Sequence, residues 1–246
     1  MSWAAVVAQD TLGVMTVHKW GGRTERLTID KVDSITMANM MTVHFQGGHQ
    51  RDFDIDWISY LTVDLLPKAE AYEAVDLGLS VQWAAVNIGA SLPEQYGDYY
   101  AWGETTSKDD YSEATYAYYK NDGYTLIGTN ICATTYDVAH ATWGGTWRLP
   151  TRSEIHELTS RCTWAVETLN GVRGYRVTGT TGNSIFLPAA GYRVGTELKE
   201  EGTGGFYWTG NVNRSMTSAA YNLNFRGYDD DWPANRTYGF TVRAVK

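Results

Sequence analysis

The chain has 246 residues and a formal net charge of −8, with 43% hydrophobic and 20% charged residues. That composition sustains a sizeable core in one large or two modest domains and is unlike that of a disordered chain. The acidic balance argues against nucleic acid as a partner, which needs a basic face. No apolar run approaches the roughly 20 residues that span a bilayer.

The 10 Trp, 17 Tyr and 25 Gly residues set this sequence apart. Rigid aromatics joined by glycine turns suit a loop-rich, mostly β protein. Tyr and Trp fill cores, and they also give a recognition surface large contact area at low entropic cost. The opening "MSWAAVVAQD" is too short, and lacks the basic start, for an intact signal peptide.

The front of the chain is a repeat. "MTVHKWGGRTERLTIDKVDSITM" from Met15 aligns without a gap on "MTVHFQGGHQRDFDIDWISYLTV" from Met41, an offset of 26 residues. Each copy reads as an alternating strand, a Gly-Gly turn, a second strand, an Ile-Asp step and a third apolar strand. Met15 and Val17 face one side, with Thr16 and His18 on the other. Gly21-Gly22 and Gly47-Gly48 supply the positive φ of a tight hairpin. Asp30 and Asp56 are placed to cap the following turn, where Val32 and Ile58 point inward. Two such units are expected to pair into one small sheet or sandwich. His18 and His44 fall at equivalent positions, read as outward strand residues copied by duplication and not as a metal site. Pro67 ends the last strand, and "PKAEAYEA" has no core pattern. The boundary is placed near residues 67 to 73, giving a small β domain over 1–67 and a larger domain over 74–246.

The larger domain opens with long ordered loops and brief strands, such as "YGDYYAWGET" and "YSEATYAYYKNDGYT". A short helix is predicted over "YDVAHATWG", ending at Gly144-Gly145. A firmer helix follows Pro150. Thr151 and Glu154 have capping-box spacing, so the Thr hydroxyl accepts from the Glu154 amide while Glu154 reaches back to the Thr151 amide. Ile155, Leu158 and Cys162 then form one apolar stripe. The two cysteines, Cys132 and Cys162, lack the spacing of a metal site; pairing in an oxidising compartment and buried thiols both stay open. The last third reads as strands and turns. Tyr175, Val177, Ile185 and Leu187 alternate, "GGFYWTGN", "AAYNLNFRG" and "YGFTVRAV" are three more strands, and in the second of these Tyr221, Leu223 and Phe225 oppose Asn222 and Asn224.

"VDLGLSVQWAAVNIGASLPEQYGDYYAWGET", "AHATWGGTWRLPT", "NSIFLPAAGYR", "FYWTGN" and the closing "YGFTVRAV" resemble, in that order, the Fibrobacter succinogenes major paralogous domain, over roughly residues 74 to 246. "WRLPT…E" and the terminal "GF-x-VR" are also similar to the formylglycine-generating-enzyme superfamily, a variant of the C-type lectin fold. The front repeat resembles a small β unit found ahead of this domain in Bacteroides proteins. The resemblance implies an α+β, C-type-lectin-like fold with few helices and many short strands, behind a small all-β domain of two duplicated hairpin units. It implies a scaffold role for the "WRLPT" helix, with Trp147 packed inward and Arg148 tied to backbone or carboxylate. It makes "GFTVRAV" the last core strand, with Phe240 and Val242 buried, and assigns variation to the loops between "YWTGN" and "YGF". It further implies an extracellular or cell-surface location, since the family is abundant in secreted and surface proteins of gut Bacteroidetes.

Catalytic signals are weak. The reactive cysteine pair of the formylglycine-generating branch does not carry over, since no cysteine follows Cys162. No G-x-S-x-G, H-E-x-x-H or P-loop spacing occurs; His140 and His156 flank the scaffold motif, and His156 reads as a helix-surface residue. Glycosidase carboxylates are defined by a separation in space that sequence does not give. The C-type lectin calcium triplets are missing, and Asp229-Asp230-Asp231 reads as a solvated run, so no metal and no cofactor are expected. The polar-aromatic residues Tyr207, Trp208, Asn211, Asn213, Arg214, Tyr228, Asp230, Trp232, Asn235, Arg236 and Tyr238 cluster in two loops and their flanking strands. Their amide, carboxylate, guanidinium and ring groups suit a glycan or protein ligand on a host or bacterial surface. The leading expectation is therefore a non-enzymatic binding protein. The other readings are a variable protein of a diversity-generating retroelement, whose variable positions favour this composition, a hydrolase or modifying enzyme on the same fold, and a structural surface or pilus-like subunit with an open edge strand.

Overall fold

The computed structural model describes residues 11–19, 24–28, 32–37, 40–45, 50–67, 73–225, 229–230 and 233–246. The chain divides into two compact units, Met1–Glu70 and Ala71–Lys246. Both are rich in short strands, and the described residues contain two α-helices.

In the front unit the strands are β1 (Thr11–Lys19), β2 (Thr24–Thr28), β3 (Val32–Met37), β4 (Met40–Phe45), β5 (Gln50–Asp54) and β6 (Ile58–Pro67). Each copy of the repeat supplies three of them. The sheets, however, run β2-β1-β6 and β3-β4-β5. The third strand of each copy is therefore exchanged onto the first strand of the other. Register keeps the repeat through this exchange. Met15 lies opposite Leu27 and Val63, and Met41 lies opposite Phe53 and Met37, the same positions one repeat apart. Periodicity defines each strand's inward face but is blind to which copy provides the partner, so the sequence does not reveal the exchange.

The core of this unit is the repeat read twice: Met15, Val17 and Leu27 with Met41, Val43 and Phe53, and Val32, Ile55 and Ile58 packed against them. Thr16 is buried as well, where an outward position was expected; β1 is the central strand of its sheet. His18 and His44 are half-buried on strands of different sheets, and His44 Nε2 lies 3.3 Å from Thr36 Oγ1. Asp54, two residues before the expected Asp56, caps the 3-10 turn Ile55–Trp57 by accepting from the Asp56 N–H. Asp30, Gly21-Gly22 and Gly47-Gly48 lie outside the described residues.

In the second unit β7 (Ala74–Val75) pairs with β8 (Trp83–Ala84), and β9 (Tyr119–Lys120) with β10 (Gly123–Tyr124). Helices α1 (Val138–Trp143) and α2 (Arg152–Arg161) follow. Strands β11 (Thr163–Leu169), β12 (Val172–Thr178) and β13 (Ser184–Pro188) make an antiparallel sheet. Asn170 and Gly171, both at positive φ, join its first two strands, as a two-residue hairpin loop with Asn-Gly chemistry requires. Next come the hairpin β14 (Tyr192–Val194) and β15 (Glu197–Lys199). The last sheet pairs β16 (Gly205–Val212) with β17 (Ala219–Phe225), which also takes β18 (Asp229–Asp230) and β19 (Ala234–Asn235).

Both helices begin on strong caps. Asp137 is fully buried and accepts four backbone N–H groups, from Ala133, Ala139, His140 and Leu149, at 2.8, 2.9, 3.2 and 2.8 Å. One carboxylate thus starts α1, fixes the preceding loop and anchors the approach to α2. Helix α1 stops at Gly144, φ 68°. The capping box of α2 forms as the spacing requires, with Thr151 N–H to Glu154 Oε2 at 2.7 Å and Glu154 N–H to Thr151 Oγ1 at 3.3 Å. Arg148 closes the network with two bonds to Glu154, 2.9 and 2.6 Å. Ile155 and Leu158 are buried under this helix, as is Trp147 before it.

The closing segment is buried at Phe240 and Val242, but it is a thread of single bridges and not one long strand. Phe240 pairs with Tyr100, Thr241 with Tyr207, and Val245 with both Trp83 and Arg148. Arg243, 1% exposed, donates to Asn87 Oδ1 and to the carbonyls of Ala84, Ala85 and Phe186. A segment with neighbours on several sides has no outward face. The same holds for β17, where Asn222 and Leu223, on opposite faces, are both buried.

Candidate ligand-binding site

Strand β16 loses regular register between Trp208 and Val212, and its end is gripped by other segments. Ile131 N–H donates to Gly210 O, Gly210 N–H to Pro150 O, and Val212 N–H to Thr129 O. Gly210 permits this approach, since a Cβ there would sit 2.3 Å from Cys132 Sγ. Asn211 then aims its Oδ1 at the start of α2 and accepts the Arg152 N–H at 2.8 Å, satisfying one of the amides that a helix N-terminus leaves open. After the strand, Asn213 Oδ1 accepts from Ser215 and Met216 N–H, at 2.9 and 3.2 Å. This closes a turn with Arg214, Ser215 and Met216 exposed.

These segments enclose an open polar cleft of about 550 Å³. Asn130, Arg152, Asn211, Asn213, Arg214 and Tyr221 give it its chemistry, beside the hydroxyls of Thr129, Thr151, Ser153 and Ser215. The Arg152 guanidinium lies over the Tyr221 ring, 4.0 Å from its centre. No carboxylate, histidine or thiol is among the described residues lining it. Amides, hydroxyls and guanidinium groups orient a ligand by hydrogen bonds.

The residues singled out in the sequence part ways here. Asn211, Asn213 and Arg214 come together in the cleft. Tyr207, Trp208 and Arg236 do not: each is at most 1% exposed. Tyr207 donates to Pro188 O at 2.7 Å, and burial pushes its phenol up to about 12. Trp208 donates to Tyr100 O at 2.7 Å and stacks on Phe240 with centroids 4.2 Å apart. Arg236 donates to Tyr116 OH at 2.9 Å and to the carbonyls of Thr125 and Thr217 at 3.1 Å each, with its guanidinium 4.7 Å from the Trp102 ring centre. These polar tips find partners inside the protein, so a composition that suits a surface serves equally well in the core. Asn235 holds a turn, its Oδ1 accepting from Thr237 N–H and from Tyr124 OH. Tyr238 is half-buried beside Tyr192. Tyr228, Trp232 and the side chain of Asp230 lie outside the described residues, as do the side chains of the Asp229-Asp230-Asp231 run.

Asn130, Arg152 and Tyr221 complete the cleft and were not anticipated. Arg152 carried a usable signal, being the first residue of a helix whose cap is legible. Asn130 and Tyr221 carried none, because their role depends on strand pairing across distant segments.

Neither cysteine, and neither of the histidines His140 and His156, is among the described residues lining the cleft. Cys132 and Cys162 are free thiols, both half-buried. Burial pushes the Cys132 thiol up to about 12, the protonated and unreactive form at neutral pH. His156 is exposed on α2. Among the described residues no three His, Cys, Asp or Glu side chains group as metal ligands, and no helix is long and apolar enough to cross a membrane. Fold and site together define a β-rich, two-unit protein whose larger unit carries a polar, arginine-bearing cleft. In comparisons with family models, curated proteins and solved structures, nothing matches this chain.

Proposed function

We propose that this chain is a non-enzymatic binding protein of the cell surface or the extracellular space, whose larger unit is a C-type-lectin-like domain akin to the Fibrobacter succinogenes major paralogous domain. The observation that carries the binding reading is the cleft itself. Asparagine, arginine and hydroxyl groups converge from four separate segments, with no described carboxylate, histidine or thiol to act as acid, base or nucleophile. The family reading is supported by the scaffold positions it implies: buried Trp147, Arg148 bound to Glu154 and to Leu149 O, and buried Phe240 and Val242. The ligand is a glycan or protein, held by residues 211–215 and their neighbours.

The test is a glycan array and a pull-down from host and bacterial surfaces, run with the wild type and with Arg214→Gln. Saturable binding that the still-folded variant loses is the expected result. Turnover of a chromogenic glycoside or ester panel by the purified chain would instead establish the enzyme reading. A structural subunit is the second reading, and the front unit favours it in one respect. Strand β6, ten residues long, pairs on one side only among the described strands, and such an edge can take a further strand. Sedimentation mass that rises with protein concentration would favour that role.

A further inference from the structure

We infer that the partner of this cleft is a polypeptide presenting a carboxylate beside an apolar side chain; the inference rests on the binding reading above. Three features of the same region converge on it. The first is charge. Arg152 and Arg214 are both exposed and both line the cleft, on a chain whose net charge is −8. Guanidinium groups set among amides recognise a planar carboxylate through paired N–H donors.

The second is a pair of exposed aliphatic side chains on loops that lead into the cleft. Leu126 and Met216 are 56% and 57% exposed. They adjoin Thr125 and Thr217, whose carbonyls accept from the same Arg236 nitrogen at 3.1 Å each. One buried guanidinium therefore ties together the two loops that display these aliphatic side chains. Both loops run on into cleft residues, Thr129-Asn130 on one side and Asn213 to Ser215 on the other. Flexible aliphatic side chains at a polar cleft adapt to a protein surface.

The third feature weighs against a sugar. Carbohydrate rings pack on flat, open aromatic faces. Tyr221 is the one aromatic residue among the described lining, and Arg152 covers a face of its ring at 4.0 Å. That stacking also holds the guanidinium in place, which lowers the ordering cost of binding an anion.

The test is an amide-resolved NMR titration of the full chain with three probes, each taken to about millimolar concentration. They are the capped peptide Leu-Asp-Glu-Leu, its neutral counterpart Leu-Asn-Gln-Leu, and free glucuronate. The acidic peptide is expected to shift the Asn130, Asn213 and Arg214 amides saturably, with the neutral peptide weaker by about tenfold. Arg214→Gln, at an exposed position, should weaken the acidic peptide by about tenfold while leaving the remaining spectrum unchanged. Leu126→Ser with Met216→Ser should weaken it severalfold. Equal shifts from both peptides would overturn the carboxylate. Shifts from glucuronate as strong as those from the acidic peptide would overturn the protein partner and leave the binding reading standing. Silence from all three overturns the inference, and the array and pull-down then decide the binding reading separately.

Discussion

Arg236 separates a ligand contact from a structural clamp, and Arg236→Met tests the difference. Methionine keeps much of the apolar stem and removes the guanidinium. Three acceptors lose their donor: Tyr116 OH and the carbonyls of Thr125 and Thr217. Each orphaned acceptor costs about 1–3 kcal/mol, and the lost stacking over Trp102 about 1 kcal/mol more. The substitution also removes a cation that is 0% exposed and whose Nη2 has no partner. Its relieved desolvation offsets part of the loss, leaving about 3 kcal/mol of destabilisation. In a unit of this size that lowers Tm by about 6–12 °C. Urea unfolding followed by tryptophan fluorescence is the assay, with the midpoint expected to fall at unchanged slope. Arg236→Lys should recover only part of the loss, because a single ammonium cannot span the Tyr116, Thr125 and Thr217 acceptors. If Arg236→Met unfolds within about 0.5 kcal/mol of wild type and yet abolishes ligand binding, the clamp reasoning is wrong and Arg236 returns to the site.

Asp137→Ala leaves four backbone N–H groups without their acceptor, those of Ala139 and Leu149 buried and those of Ala133 and His140 partly so, and should cost about 4 kcal/mol, with Asp137→Asn about half of that because one carbonyl oxygen remains; thermal melts of the two variants check the order. Glu154 gives the chain an acid-sensitive element. Burial pushes its carboxyl up, but the bonds from Arg148 and the Thr151 N–H outweigh burial and hold it below the ordinary 4.5. Its folded value lies below its unfolded one, so its contribution is present above the unfolded value and is lost as pH falls through the folded one. Glu154→Gln should flatten the decline in urea midpoint between about pH 5 and pH 3, and an unchanged decline would show that other carboxylates carry it.

What the sequence made legible was local or repetitive. The capping box needs only a Thr and a Glu three residues apart, and α2 begins where that spacing requires. Val177, Ile185 and Leu187 are buried as their spacing suggests, but Phe186 between the last two is buried as well and Tyr175 is half-buried, so alternation does not describe this sheet. The front repeat makes Met15, Val17, Val32 and Ile58 legible as inward positions, though not the burial of Thr16. What stayed hidden depends on partners. The exchange of β3 and β6 leaves every strand's pattern intact, so no periodicity reports it. Tyr207, Trp208 and Arg236 look like a recognition surface because each has a polar tip, and only the carbonyls of Pro188, Tyr100, Thr125 and Thr217 reveal them as interior. The cleft was half visible, since Asn211, Asn213 and Arg214 lie within four residues of one another while Asn130, Arg152 and Tyr221 arrive from elsewhere.

The stretch from Asp137 to Glu154 links frame to face. Asp137 holds the Leu149 amide, the neighbouring Arg148 holds Glu154, Glu154 holds the Thr151 amide, and Asn211 takes the next amide, that of Arg152. Each link fixes the backbone that positions the following one, so Arg152 enters the cleft from a supported helix start. A binding site keeps its geometry when its contacts are backed in this way. Frame and face are therefore separable by experiment. Damage to Asp137 or Glu154 should lower stability and ligand affinity together, because it moves the start of α2. Arg214 is exposed on a turn closed by Asn213, outside this relay, so its substitution should lower affinity alone. A loss of stability from Arg214→Gln equal to that from Asp137→Asn would mean that the turn belongs to the frame, and the binding surface would have to be sought on another face of the unit.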